Sequence, residues 1–238
     1  MPAARLGIAS FRRFCGFSAC EATFERTAFL RFRTELVGRG LDRAMCDAIT
    51  RQLDGKGVAV RTGTLVDATL IASASIQHDD EARWAGHRRR KPLHGYKAHV
   101  TTDQDAALIR GVEVTTANMH DAAELEAVLP PQPGDVYGDS AYAGTRSERI
   151  IAARGGRART VQTGVWGGAE ALARVQSHNA EVRAVRARIE KVFGTCKRSY
   201  GLCRMRWFGL AKAGLQVRLS AIAYNLRRSW RLLTPLPA

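Results

Sequence analysis

Apolar and polar positions follow two periods along this 238-residue chain, and the change falls near residue 57. Before it, the stretch ACEATFERTAFLRFRTELVGRG repeats apolar or aromatic residues at helical spacing and stops at Gly38-Arg39-Gly40. LDRAMCDAITRQLDGKG does the same and stops at Gly55-Lys56-Gly57. Both patterns predict helices that end where glycine permits the chain to turn. After residue 57, VAVRTGTLVDATLIAS is rich in Val, Leu, Ile and Thr and predicts a buried strand. The polar stretch QHDDEARWAGHRRRKPLHG reads as an exposed loop. YKAHVTTD and ALIRGVEVTTA predict two further strands joined at Gln104-Asp105.

The second half alternates more quickly. Asp121-Ala-Ala-Glu124 has capping-box spacing and predicts a helix through Val128, ended by Pro130, Pro131 and Pro133. DVYGD is a short strand, and Thr145-Arg-Ser-Glu148 is a second capping-box pattern opening another helix. RARTVQT reads as a strand. The longest helical pattern runs from about Ser177 to Tyr200, and a last helix from about Leu210 to Leu232. Three strands, helix, strand, helix, strand and long helix give an α/β chain on a mixed sheet flanked by helices, with a helical N-terminal region. The expected division is 1–60 for that region and 61–238 for the main domain.

Composition narrows the partner. The formal net charge is +15, a balance that points to a polyanion. After Glu190 no acidic residue remains, while Lys191, Lys197, Arg198, Arg204, Arg206, Lys212, Arg218, Arg227, Arg228 and Arg231 follow. Such a tail repels itself unless it lies on phosphates or beside the acids of the main body. No stretch approaches the ~18 uninterrupted apolar residues of a membrane span, so the chain is expected in the cytoplasm. The cysteines at 15, 20, 46, 196 and 203 form no CxxC pair, and the six histidines show no zinc spacing.

Three acids stand out. Asp67 interrupts an apolar strand, where an isolated carboxylate is costly, so it caps a turn, pairs with an arginine or binds a metal. Asp139 follows DVYG at the carboxyl end of a strand, where α/β proteins place their sites, and an ordinary turn aspartate is the other reading. On the long helix, Asn179, Arg183, Arg186, Glu190 and Lys197 share one stripe beside an apolar one of Val182, Val185, Ile189, Val192, Phe193 and Cys196. One acid among several cations is poor surface pairing and good phosphate-backbone geometry.

These residues carry a resemblance. GTLVDATLI, HGYKAHV, TTANMHDAAEL, GDSAYAG and the spacing Arg186, Glu190, Lys197 occur in the order found in DDE-type insertion-sequence transposases. They resemble most the insertion-sequence group numbered five, from about residue 61 to the end. RRFCGF and LRFR in the N-terminal part are similar to it as well. The resemblance implies an RNase H-like fold with Asp67 on the first strand, Asp139 just after the fourth and Glu190 on the long helix. It implies a DNA transposase in which these three acids are catalytic and hold Mg²⁺, with two ions per site and Mn²⁺ as a substitute. Two such ions ~3.5–4 Å apart serve an in-line displacement at phosphorus, and magnesium takes oxygen ligands. The expected reaction is cleavage at the transposon ends, then strand transfer of the 3′-OH into target DNA.

Lys97, Arg183, Arg186, Lys197 and Arg198 are the expected DNA contacts, with double-stranded DNA as partner and a homodimer in the complex. A bacterial, nucleoid-associated location follows from the same resemblance. The chain departs from the pattern at Arg183, where the group often has tyrosine, around Glu25-Arg26-Thr27, and in its shorter N-terminal region. A non-catalytic DNA-binding remnant or domesticated protein, and an RNase H-like nuclease without strand transfer, are the alternatives. Other candidates are His94 and His99, each a DNA contact or an ordinary strand residue. Asp121 beside His120 reads as a helix cap. The basic run 87–91, Trp166, Trp207 and Phe208 could meet DNA, while core packing is the commoner fate of such aromatics.

Overall fold

The computed structural model describes residues 9–22, 24–57, 62–86, 91–164 and 167–234. Most of the basic run 87–91, Trp166 and the 58–61 start of the first predicted strand lie outside them. The chain forms two compact units, Met1–Ala44 and Met45–Ala238.

The first unit contains α1 (Ala9–Phe14) and α2 (Arg26–Gly38). Only Leu36 of these two helices is buried. Arg12 ties the following turn together by donating to the carbonyls of Ser18 and Glu21. Helix α3 (Leu41–Gly55) straddles the division, and its later turns bury Leu53 beside Ala106 and Leu108.

The second unit is built on a six-stranded sheet. Strand β1 (Gly63–Ala72) pairs antiparallel with β3 (Leu93–Asp103), whose other edge takes β2 (Arg83–Ala85) and β4 (Ile109–Thr116). On its other side β1 pairs in parallel with β5 (Asp135–Gly138), and β5 with β6 (Arg157–Thr160). An antiparallel half joined to a parallel half through β1 is consistent with an RNase H-like α/β fold. Between the strands lie a 3₁₀ turn at Asp121–Glu124, α4 (Leu125–Val128), a second 3₁₀ turn at Ser140–Tyr142 and α5 (Thr145–Ala153). Two long helices close the unit, α6 (Ala169–Ser199) and α7 (Leu210–Leu233).

The two faces of the sheet bury different residues, as strand alternation requires. Ile71, Tyr96, Ala98 and Val100 pack with Val192 and Cys196 of α6 and Val217 and Ala221 of α7. Val66 and Val136 pack on the opposite face with Leu125, Val128 and Ile151. Fully burying such side chains contributes about 1.5–3 kcal/mol each, so α6 is fixed against the sheet by its apolar stripe.

Three local expectations change. The polar stretch after β1 is not simply an exposed loop: it contains β2, and its Asp79 is 3% exposed. Asp79 accepts from the Tyr96 hydroxyl at 2.6 Å and from the Gly209 N–H at 3.1 Å, so a buried carboxylate is stabilised by donors invisible in its own segment. Asp121 is not the cap of the first turn, because the His120 ring accepts from the Ala122 N–H there. Thr145 is likewise not a cap but the first residue of α5, after Gly144 at φ 119°. Gly144 serves because a left-handed backbone is accessible to glycine without a side-chain penalty.

Candidate active site

Beyond Leu65, strand β1 has lost β5 as a neighbour, and Asp67 sits there opposite Val100 of β3. Its side chain falls on the α6 face, between the apolar contacts of that face. One carboxylate oxygen accepts from the Ala68 N–H at 2.8 Å and the other from Arg186 Nη2 at 3.0 Å. Both partners are mostly buried, with side chains 12% exposed for Arg186 and 14% for Asp67. Burial pushes the Asp67 carboxyl up to about 6. Arg186 and the Ala68 N–H pull it down, while the negative charges of Asp139 and Asp121 push it further up.

Asp139 immediately follows β5 and caps the next turn, accepting from the Ala141 N–H at 2.9 Å. The local readings of these aspartates hold: Asp67 pairs with an arginine and Asp139 caps a turn, and the charge of Asp139 also acts on Asp67. That shared field is unfavourable without a cation. Two buried polar atoms beside it lack partners, the Tyr142 hydroxyl and Arg186 Nε. Buried polar groups are nearly always satisfied, so orphans of this kind call for a ligand or water.

Asp121 reaches the cluster from the opposite face of the sheet. Its carboxylate accepts from Lys97 Nζ at 2.5 Å, and Lys97 also donates to the Met119 carbonyl. His99, 1% exposed, contacts Thr115 Oγ1 at 2.8 Å and the Asp121 carbonyl at 3.1 Å. Burial lowers its pKa and favours the neutral ring. His94 lies farther along β3, bonded to Ser73 Oγ at 2.8 Å and tilted against Trp84.

The helix side differs. Arg183 and Glu190 are exposed, Arg198 is exposed, and Lys197 is half-buried. Arg186 joins α6 to β1. From Arg186, Glu190 is displaced ~6 Å along the helix and ~40° around it, by regular helix geometry. The charges acting most strongly on Asp67 are Arg186, Asp139 and Asp121, and Glu190 is not one of them. Among the described residues, no three Asp, Glu, His or Cys side chains stand close enough to hold a metal ion together. Asp139 thus acts on Asp67 through its charge, while Glu190 stands exposed on α6. An open polar groove adjoins Asp139, lined by Ser140, Gly144, Glu148, Arg159, Gln162 and His178. Trp207 is half-buried and Phe208 exposed.

Sequence reasoning missed Tyr142, Asp121 as a neighbour of Asp67, and Arg188, which pairs with Asp105 at 3.3 Å. The signal for Tyr142 was present in GDSAYAG: three residues after an aspartate that caps a tight turn, a side chain returns toward the strand end.

None of the five cysteines is in a disulfide, with Cys196 buried and Cys15, Cys20 and Cys203 exposed. No helix among the described residues is long and apolar enough to cross a membrane. Residues 59–226 match the family model described as the transposase DDE domain. The match spans well over half of the chain and includes Asp67, Asp139, Glu190 and their flanking elements. The chain belongs to the DDE-domain transposases.

Proposed function

We propose that this DDE-domain transposase, of the insertion-sequence group numbered five, cuts DNA at its element's ends and transfers the freed 3′-OH to target DNA. Asp67 and Asp139 are the proposed ligands of Mg²⁺ or Mn²⁺, with Glu190 completing the set from α6. The observation that carries this reading is the buried Asp67 carboxylate, raised to about 6 beside Asp139 with Arg186 as its cation. The donor set fits a hard ion, because the strand side supplies carboxylate oxygens. When bound, divalent ions supply charge neutralisation on the phosphate and a more acidic attacking water or hydroxyl.

The chain's own residues do the rest. Arg186, which pairs with Asp67, is a proposed phosphate contact, and Lys197 is another farther along α6. Arg183 and Arg198 are free to meet DNA backbone from the exposed side. Lys97 belongs to the same proposed set of contacts, with its ammonium now shared between Asp121 and Met119. The groove beside Asp139 offers a path for a strand. Residues 61–238 are assigned to catalysis and 1–60 to a helical region that helps bind DNA. A homodimer joining two ends, in a bacterial cytoplasm and on the nucleoid, completes the proposal.

Incubation with Mg²⁺ and duplex DNA carrying the element's own ends tests it, read as nicks, strand-transfer products and their dependence on Asp67, Asp139 and Glu190. Products that vanish in EDTA and in Asp67→Asn are expected. The exposed position of Glu190 favours a second reading, a DNA-binding relative without catalysis. Binding that survives in EDTA, with no product when Mg²⁺ is restored, would establish that one instead.

A further inference from the structure

Tyr142 is among the largest side chains buried in the protein, 1% exposed, yet its hydroxyl has no hydrogen-bond partner. The ring belongs to the core formed by Val66, Leu125, Val128, Val136 and Ile151. Its position is tightly determined. The Tyr142 N–H donates to the Asp139 carbonyl at 3.1 Å, and the Asp139 side chain caps the same turn through Ala141. The ring also folds back on Gly138, where a Cβ would lie 2.9 Å from the Tyr142 Cβ. Glycine at 138 is therefore required by this close approach. The hydroxyl lies in the fields of Asp67, Asp121, Asp139 and Arg186, with Asp67 the strongest.

A phenol surrounded by carboxylates stays protonated, so it offers a donor and no charge; burial and the Asp67 carboxylate both raise its pKa. An unmade hydrogen bond at a buried donor costs about 1–3 kcal/mol. A core position could be filled by phenylalanine without that cost. Arg186 Nε, on the other side of Asp67, is orphaned in the same way. Two unpartnered polar atoms, one on Tyr142 in the field of Asp67 and one on the arginine that pairs with it, point to an arrangement completed only when an oxygen-rich ligand arrives.

We infer that the Tyr142 hydroxyl is a positioning donor, which bonds to the Asp67–Asp139 carboxylates when they hold a divalent ion and thereby tightens that ion's binding. The inference rests on the ion-site reading of these two aspartates. Residues that support metal ligands from behind typically change affinity by about 10–100-fold when removed.

Tyr142→Phe removes the donor and keeps the ring. The full-length variant and the wild type are titrated with Mn²⁺ alone, without DNA, and the rise in melting temperature is followed against ion concentration. The expected result is an unchanged ion-free melting temperature or a higher one, with a midpoint for Mn²⁺ about tenfold higher in Tyr142→Phe. DNA binding in EDTA should be equal in both. Equal Mn²⁺ midpoints would overturn the role of Tyr142 while leaving the ion site standing. A wild type that does not respond to Mn²⁺ at all would overturn the ion site and the tyrosine's role with it. Should Tyr142→Phe prove too unstable to titrate, Gly138→Ala, which displaces the ring by its Cβ, gives a second reading of the same midpoint. A Gly138→Ala protein that binds Mn²⁺ as the wild type does would count against the inference.

Discussion

The strand side and the helix side of the site are held in different ways. Asp67 and Asp139 are fixed by backbone: one on β1 past the end of its pairing with β5, the other capping the turn after β5. Glu190 is fixed only by the helix that carries it, through Ile189 and Val192, which dock α6 while Glu190 stays exposed. Asp67 is consequently held in place with its carboxyl raised by burial, whereas Glu190 stands exposed on its helix. Arg186 bridges them, neutralising Asp67 from the same helix row that carries Glu190. The contrast teaches that charge is stored on the strand side before any ligand is present.

The largest expected effects come from breaking the strand side. Asp67→Asn or Asp139→Asn should lower end cleavage by about 10³-fold, since ion-borne charge stabilisation is worth several kcal/mol and each ~1.4 kcal/mol is tenfold. Gel assays of nicked product measure it, and cleavage within tenfold of wild type by either variant would remove that acid from the catalyst. Glu190→Gln should lose cleavage to a similar extent, by about 10²–10³-fold on the same energetic argument. Its ion-free stability should change by less than about 0.5 kcal/mol, as expected for an exposed position. A large loss of stability in denaturant would mean that the glutamate is structural.

Stability against pH sharpens the comparison next. A carboxyl whose folded pKa lies above its unfolded value favours folding when protonated, and that advantage is lost as pH rises from the unfolded to the folded pKa. For Asp67 the window runs from 3.8 to about 6. The stability of wild type relative to Asp67→Asn should therefore fall by roughly 2 kcal/mol between pH 4 and pH 7. Denaturant melts of the two proteins at each pH measure the difference. A flat difference would mean that Asp67 is not strained. The smallest effect is expected at the rim: Arg183→Ala should weaken DNA binding and reduce the slope of log affinity against log salt by about 1. An unchanged slope would take Arg183 out of contact with phosphate.

Much of this contrast was legible in the residues, for identifiable reasons. The sheet followed from runs of β-branched and apolar residues, and both long helices from their apolar period, because burial leaves its mark on every residue of such elements. Asp67 stood out because an acid in an apolar strand conflicts with its neighbours. Strand β2 was missed because three residues between polar segments carry no period, and its pairing depends on the edge of β3. The start of α6 was placed too late, since Ala169–Gln176 is mostly exposed and has no apolar face to mark it. Asp121 was misassigned because capping-box spacing is local, whereas its partner Lys97 lies two strands earlier. Tyr142 was missed because nothing in its own segment marks it: it is a core aromatic, and only the missing partner of its hydroxyl shows anything more.

Calorimetric titration of Mn²⁺ into the DNA-bound protein, repeated for Asp67→Asn, Asp139→Asn and Glu190→Gln, tests most directly whether the helix acid joins the strand pair. All three substitutions should weaken Mn²⁺ binding by tenfold or more, since even the partners behind metal ligands are worth about 10–100-fold. Binding by Glu190→Gln equal to wild type, with only the two aspartates affected, would contradict the account.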